Sequence, residues 1–99
     1  MRSKKELYQL VLDKFKKRIL DRPFSFICVN IIYLHEDNII TKDEYLYILN
    51  DFKLNRPNKE QHSEFMNEFW VGDGGVWWNV DKDSSITRIK FLEKLIENN

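Results

Sequence analysis

The sequence predicts an all-α single domain of about five helices, with a tryptophan-containing loop or short strand before the last one. Three observations carry that reading. Apolar residues recur at three- and four-residue steps in several separate stretches, the period of a helix with one buried face. Two of those stretches open with the spacing of a capping box, Ser3 with Glu6 and Thr41 with Glu44. The two prolines, Pro23 and Pro57, fall between stretches, and all three glycines crowd into residues 72–75. At 99 residues the chain is one domain, and 42% hydrophobic residues suffice for one core.

The first helix is expected over about 3–20. Leu7, Leu10, Val11, Phe15 and Ile19 form its stripe, widened by Tyr8 and Leu12, and Lys14, Lys16, Lys17 and Arg18 gather in the last turns, where cations complement the helix dipole. Asp21-Arg22-Pro23 ends it or starts the next. Residues 24–35 are almost continuously apolar, from Phe24 to Leu34. Such a run fits a central buried helix by its length, and its β-branched content leaves a buried strand as the alternative.

Glu36-Asp37-Asn38 reads as a turn. Thr41 then caps a helix over about 42–53, Ile40 and Tyr45 have the spacing of a hydrophobic staple, and Tyr45, Ile48, Leu49 and Phe52 face the core. Asn55-Arg56-Pro57 stops it. A fourth helix begins near Pro57 or Asn58, with His62, Phe65, Met66 and Phe69 as its stripe. Gly72-Asp73-Gly74-Gly75 turns the chain into the extended segment Val76-Trp77-Trp78-Asn79-Val80. A final helix over about 85–97, capped by Asp83 or Ser84, turns Ile86, Ile89, Leu92 and Ile96 inward, with Phe91 and Leu95 alongside.

Composition narrows the function. Sixteen basic residues balance sixteen acidic ones, which argues against a dedicated nucleic-acid binder. No apolar run reaches the length of a membrane span, nothing resembles a secretory signal, and the single Cys28 excludes an internal disulfide. The chain therefore reads as a cytoplasmic protein. It contains no alanine but 11 Lys, 10 Ile and 9 Asn, the signature of an AT-rich genome such as that of a low-GC bacterium or its phages. Without the best helix former, packing must carry more of the helices' stability.

No residue set supports catalysis. Cys28 lies in the most apolar run, where a thiol acts as a small hydrophobe, and His35 and His62 read as packing or capping residues. These three are too scattered for zinc, and Asp81 and Asp83 lack the glycine and glutamate that complete a calcium loop. The Gly72–Gly75 loop lacks the lysine of a phosphate loop. The expectation is a protein that is not an enzyme and needs no cofactor or metal.

Binding features remain. Residues 1–20 hold seven cations and two acids, so neutrality hides a basic first helix and an acidic remainder that includes Glu60, Glu64 and Glu68. That polarity could steer a charged partner, bind nucleic acid through the first helix, or let two copies meet head to tail. Adjacent Trp77 and Trp78 in an extended segment point to opposite sides, so one of them is expected outside the core. With Trp70, Arg56 and Arg88 they form a candidate anchor for a protein partner. The same five residues could instead stack a purine base and clamp its phosphates.

Ile27-Cys28 leading to Leu34, Ile40-Thr41 with Glu44, Trp77-Trp78, and Arg88 with Phe91-Leu92 and Leu95-Ile96 resemble a widespread group of small uncharacterised proteins encoded by tailed phages. The similarity spans roughly residues 24–96. It brings no activity and no catalytic residues; it implies a phage-type accessory protein acting stoichiometrically on a host system. The expected function is thus binding and inhibition of a host protein, a defence or regulatory factor. Sequestration of a nucleotide signal and nucleic-acid binding are the alternatives.

Overall fold

The computed structural model describes residues 1–22, 25–55 and 84–99. Four helices occupy these residues: α1 (Lys4–Arg18), α2 (Ile27–Glu36), α3 (Lys42–Asn55) and α4 (Ser84–Glu97), with no strand among them. The expected helix after Pro57 and the tryptophan segment lie outside the described residues.

The capping box ahead of α1 forms as its spacing requires. The Glu6 N–H donates to Ser3 Oγ at 3.2 Å, and the Ser3 N–H donates back to Glu6 Oε1 at 3.2 Å. The same pair opens α3. The Glu44 N–H donates to Thr41 Oγ1 at 3.1 Å, and the Thr41 N–H to Glu44 Oε1 at 2.9 Å. Between them, the apolar run from residue 27 is a helix, which removes the strand alternative. Its buried positions, Ile27, Asn30, Ile31 and Leu34, step by three, one and three, the pitch of a helix rather than of a strand.

The turn after α2 is held by backbone. Asn38 takes a left-handed conformation (φ 60°), its N–H donates to His35 O at 3.0 Å, and the Ile39 N–H donates to Leu34 O at 2.9 Å. This is a Schellman closure, with asparagine where glycine is usual; a short polar side chain tolerates that conformation.

α1 lies against all three other helices, and α2 packs on α3. Leu7, Tyr8, Val11, Leu12 and Phe15 of α1 are fully buried and meet Ile27, Ile31, Leu34, Ile40, Ile48, Phe52 and Leu92 in one cluster. Each such side chain contributes about 1.5–3 kcal/mol on leaving water. Phe52 of α3 meets Phe91 of α4 edge to face, with centroids 6.0 Å apart.

α4 corrects one expectation. Ile86 is not inward but 50% exposed. The inward line runs Ser85, Arg88, Leu92, with Leu95 and Ile96 packed beside it. A helix turns about 100° per residue, so seating position 85 inside turns position 86 out, and the inner row accepts a serine and an arginine.

Candidate binding surface

Polar side chains first tie the helices together from inside. Glu44 is buried, and its carboxylate collects the Thr41 N–H, the Arg2 N–H at 2.9 Å and the Arg2 guanidinium at 2.9 Å. Those donors, the Thr41 N–H foremost, hold its pKa at about 2, well below the ordinary carboxylate range. Between α1 and α3, the Tyr8 hydroxyl donates to Asp51 Oδ2 at 2.6 Å while Lys4 Nζ sits 3.2 Å from Asp51 Oδ1. Burial and the adjacent carboxylate push the Tyr8 hydroxyl pKa up. His35 stacks on Tyr45 at 4.8 Å, joining the end of α2 to the start of α3.

A second polar group surrounds the start of α2. Asn30 is buried and donates through Nδ2 to Phe26 O at 2.6 Å and Ser25 Oγ at 3.0 Å, leaving its Oδ1 without a donor. The Arg88 guanidinium lies 5.3 Å from the Phe26 ring centroid.

Of the five residues the sequence singled out for binding, the structure describes one. Arg88 is 1% exposed, seated on α4 between the core and Phe26. Trp70, Trp77, Trp78 and Arg56 lie outside the described residues, as do His62, Asp81 and Asp83. Cys28 is half-buried against the core cluster. Among the described residues, no three His, Cys, Asp or Glu side chains converge as metal ligands, and no helix is long and apolar enough to cross a membrane.

The surface itself shows a feature the sequence reading missed. On α3, Ile48 and Phe52 face in, while Leu46 is 51%, Tyr47 38% and Leu54 75% exposed. At 100° per residue, Leu46, Tyr47, Asn50 and Leu54 fall within about a 100° sector opposite the core. The signal was available: Tyr45-Leu46-Tyr47-Ile48-Leu49 is five apolar residues in succession, and a helix with one buried stripe cannot turn all five inward.

No protein-family model matches the chain, and no curated protein or solved structure matches it either.

Proposed function

We propose that this chain is a non-enzymatic, phage-type accessory protein that binds a host protein and blocks one of its surfaces. The observation that carries the reading is the outward face of α3. Single exposed apolar residues are ordinary on a protein surface. Leu46, Tyr47 and Leu54 instead share one sector of one helix whose other side is already packed. A tyrosine flanked by leucines supplies rigid, largely apolar contact area with a polar tip, the type of side chain that anchors protein interfaces. Trp70, Trp77, Trp78 and Arg56 are the next side chains to substitute as parts of the same interface.

The test is capture from a lysate of a low-GC bacterial host by the immobilised chain, compared with the double variant Leu46→Asp/Leu54→Asp. Both positions face water, so the variant should unfold at the same denaturant concentration as the parent. The expected result is one host protein retained in stoichiometric amount by the parent and lost by the variant. If the variant retains every protein that the parent does, α3 is not the docking face. Quenching of tryptophan fluorescence by a linear or cyclic nucleotide, without host-protein capture, would replace this reading with ligand sequestration.

A further inference from the structure

The outward face of α3 has an internal symmetry. Counted at about 100° per residue, its middle falls on Asn50, with Leu46 about 40° to one side and Leu54 about 40° to the other. The same two leucines stand one turn before and one turn after Asn50 along the helix. Tyr47 widens the sector on the side of Leu54, and Lys53 widens it on the side of Leu46. All five side chains are exposed. The row Leu46, Asn50, Leu54 therefore reads the same in both directions, with an amide at its centre and an apolar residue at each flank.

A face with that pattern is complementary to itself. A two-fold contact requires residue i to meet j while j meets i, and a row symmetric about its own centre satisfies this once its copy is reversed. We propose that two copies of this chain pair through α3, antiparallel about a two-fold axis at Asn50. Each residue then faces the one equally far on the other side of position 50 in the second copy. The two Asn50 amides meet on the axis, where each can donate to and accept from the other. Leu54 of one copy enters between Leu46 and Tyr47 of the other, and Lys53 lays its aliphatic stem along Leu46 with its ammonium in water. The amide pair fixes the register, because a slip along the helix would set it against leucine. A formal net charge of zero leaves no overall repulsion to hold the copies apart. A contact of about two turns lies at the small end of specific interfaces, so monomer and dimer exchange. The pairing rests on the same outward face as the host-binding reading, and a host protein would displace the second copy from it.

The test uses the full chain with no host protein present, so pairing and host binding can fail separately. Sedimentation equilibrium from about 10 μM to about 1 mM should show the mean mass rising from 12.1 kDa toward twice that value. Asn50→Asp sets two carboxylates against each other on the axis and should hold the mass at 12.1 kDa throughout. A residue on a two-fold axis meets its own copy, so Asn50→Cys under mild oxidation should give a disulfide-linked dimer. Lys42 is exposed on the same helix, but antiparallel pairing sets its two copies about 24 Å apart along the axis. Lys42→Cys should therefore cross-link no more than the parent, which keeps Cys28 as the baseline. Equal cross-linking at both positions would mean parallel pairing, and cross-linking at neither would mean a different surface. A dimer dissolved by salt would mean charge pairing between a basic and an acidic face. Each of these, a monomeric mass at the highest concentration, or a dimer that survives Asn50→Asp would overturn the proposal.

Discussion

Removing one oxygen from Tyr8 is the most informative single perturbation of this fold. Tyr8 is fully buried in α1, and its hydroxyl donates a 2.6 Å hydrogen bond to Asp51 of α3, 43 residues away. Tyr8→Phe keeps the ring and its packing, so the change isolates that bond. A hydrogen bond to a charged acceptor contributes about 1.5–3 kcal/mol. Asp51 keeps Lys4 at 3.2 Å, which places the expected loss near 2 kcal/mol, or roughly 10 °C in Tm for a domain of this size. Urea unfolding at neutral pH measures it. In an Asp51→Asn background the acceptor is uncharged, and the cost of Tyr8→Phe should fall below about 1 kcal/mol. A second signature lies at high pH. The folded pKa of Tyr8 is raised above the unfolded value of 10.0, so its contribution is intact below that pH and declines as pH rises beyond it, by up to about 1.4 kcal/mol per pH unit. Tyr8→Phe should lack that decline. A cost under about 0.5 kcal/mol, or an equal cost in both backgrounds, would refute the claim that this bond links α1 to α3.

Three further outcomes test other parts of the structure. Glu44 has a depressed folded pKa of about 2 against an ordinary 4.5; its contribution is therefore present above pH 4.5 and lost as pH falls through about 2, and in an acid titration followed by circular dichroism Glu44→Gln should abolish that part of the acid limb while lowering stability at neutral pH. At the left-handed Asn38, Asn38→Ala should cost about 1 kcal/mol in urea, whereas Asn38→Gly should be neutral or slightly stabilising. On α4, Ile86→Lys should change stability by less than about 0.5 kcal/mol while Leu92→Ala costs about 3 kcal/mol; a cost for Ile86→Lys as large as that of Leu92→Ala would mean that Ile86 faces the core, as first expected from the apolar pattern.

The contrast between Ile86 and Arg88 shows what a sequence conveys and what it withholds. Local grammar was fully legible: Ser3 with Glu6, Thr41 with Glu44 and the turn at Asn38 are contacts within a few residues, and they form as their spacing demands. Core faces followed where one apolar stripe stood out, as with Val11 and Phe15 or Ile48 and Phe52. α2 was ambiguous because periodicity vanishes in a continuous apolar run. In α4 the apolar residues outnumber the places inside, and the choice among them falls to the neighbours, which admit Arg88 and turn Ile86 out. The cation ladder divides for the same reason. Lys4 and Lys14 look alike with Lys16 and Lys17 until Asp51 and Asp37, distant in sequence, are brought beside the first two.

The Glu44 carboxylate has a consequence for the order in which this structure comes apart. Residues ahead of a helix are ordinarily the first to fray. Arg2 stands one residue before the Ser3 cap of α1, yet its N–H and guanidinium end on Glu44, whose carboxylate closes the capping box of α3. The residue ahead of one capping box is therefore tied to the carboxylate that closes the other. Loosening the head of α1 strips Glu44 of its distant donors, and unwinding the first turn of α3 leaves Arg2 without an acceptor. The link couples the fraying of one helix start to that of the other.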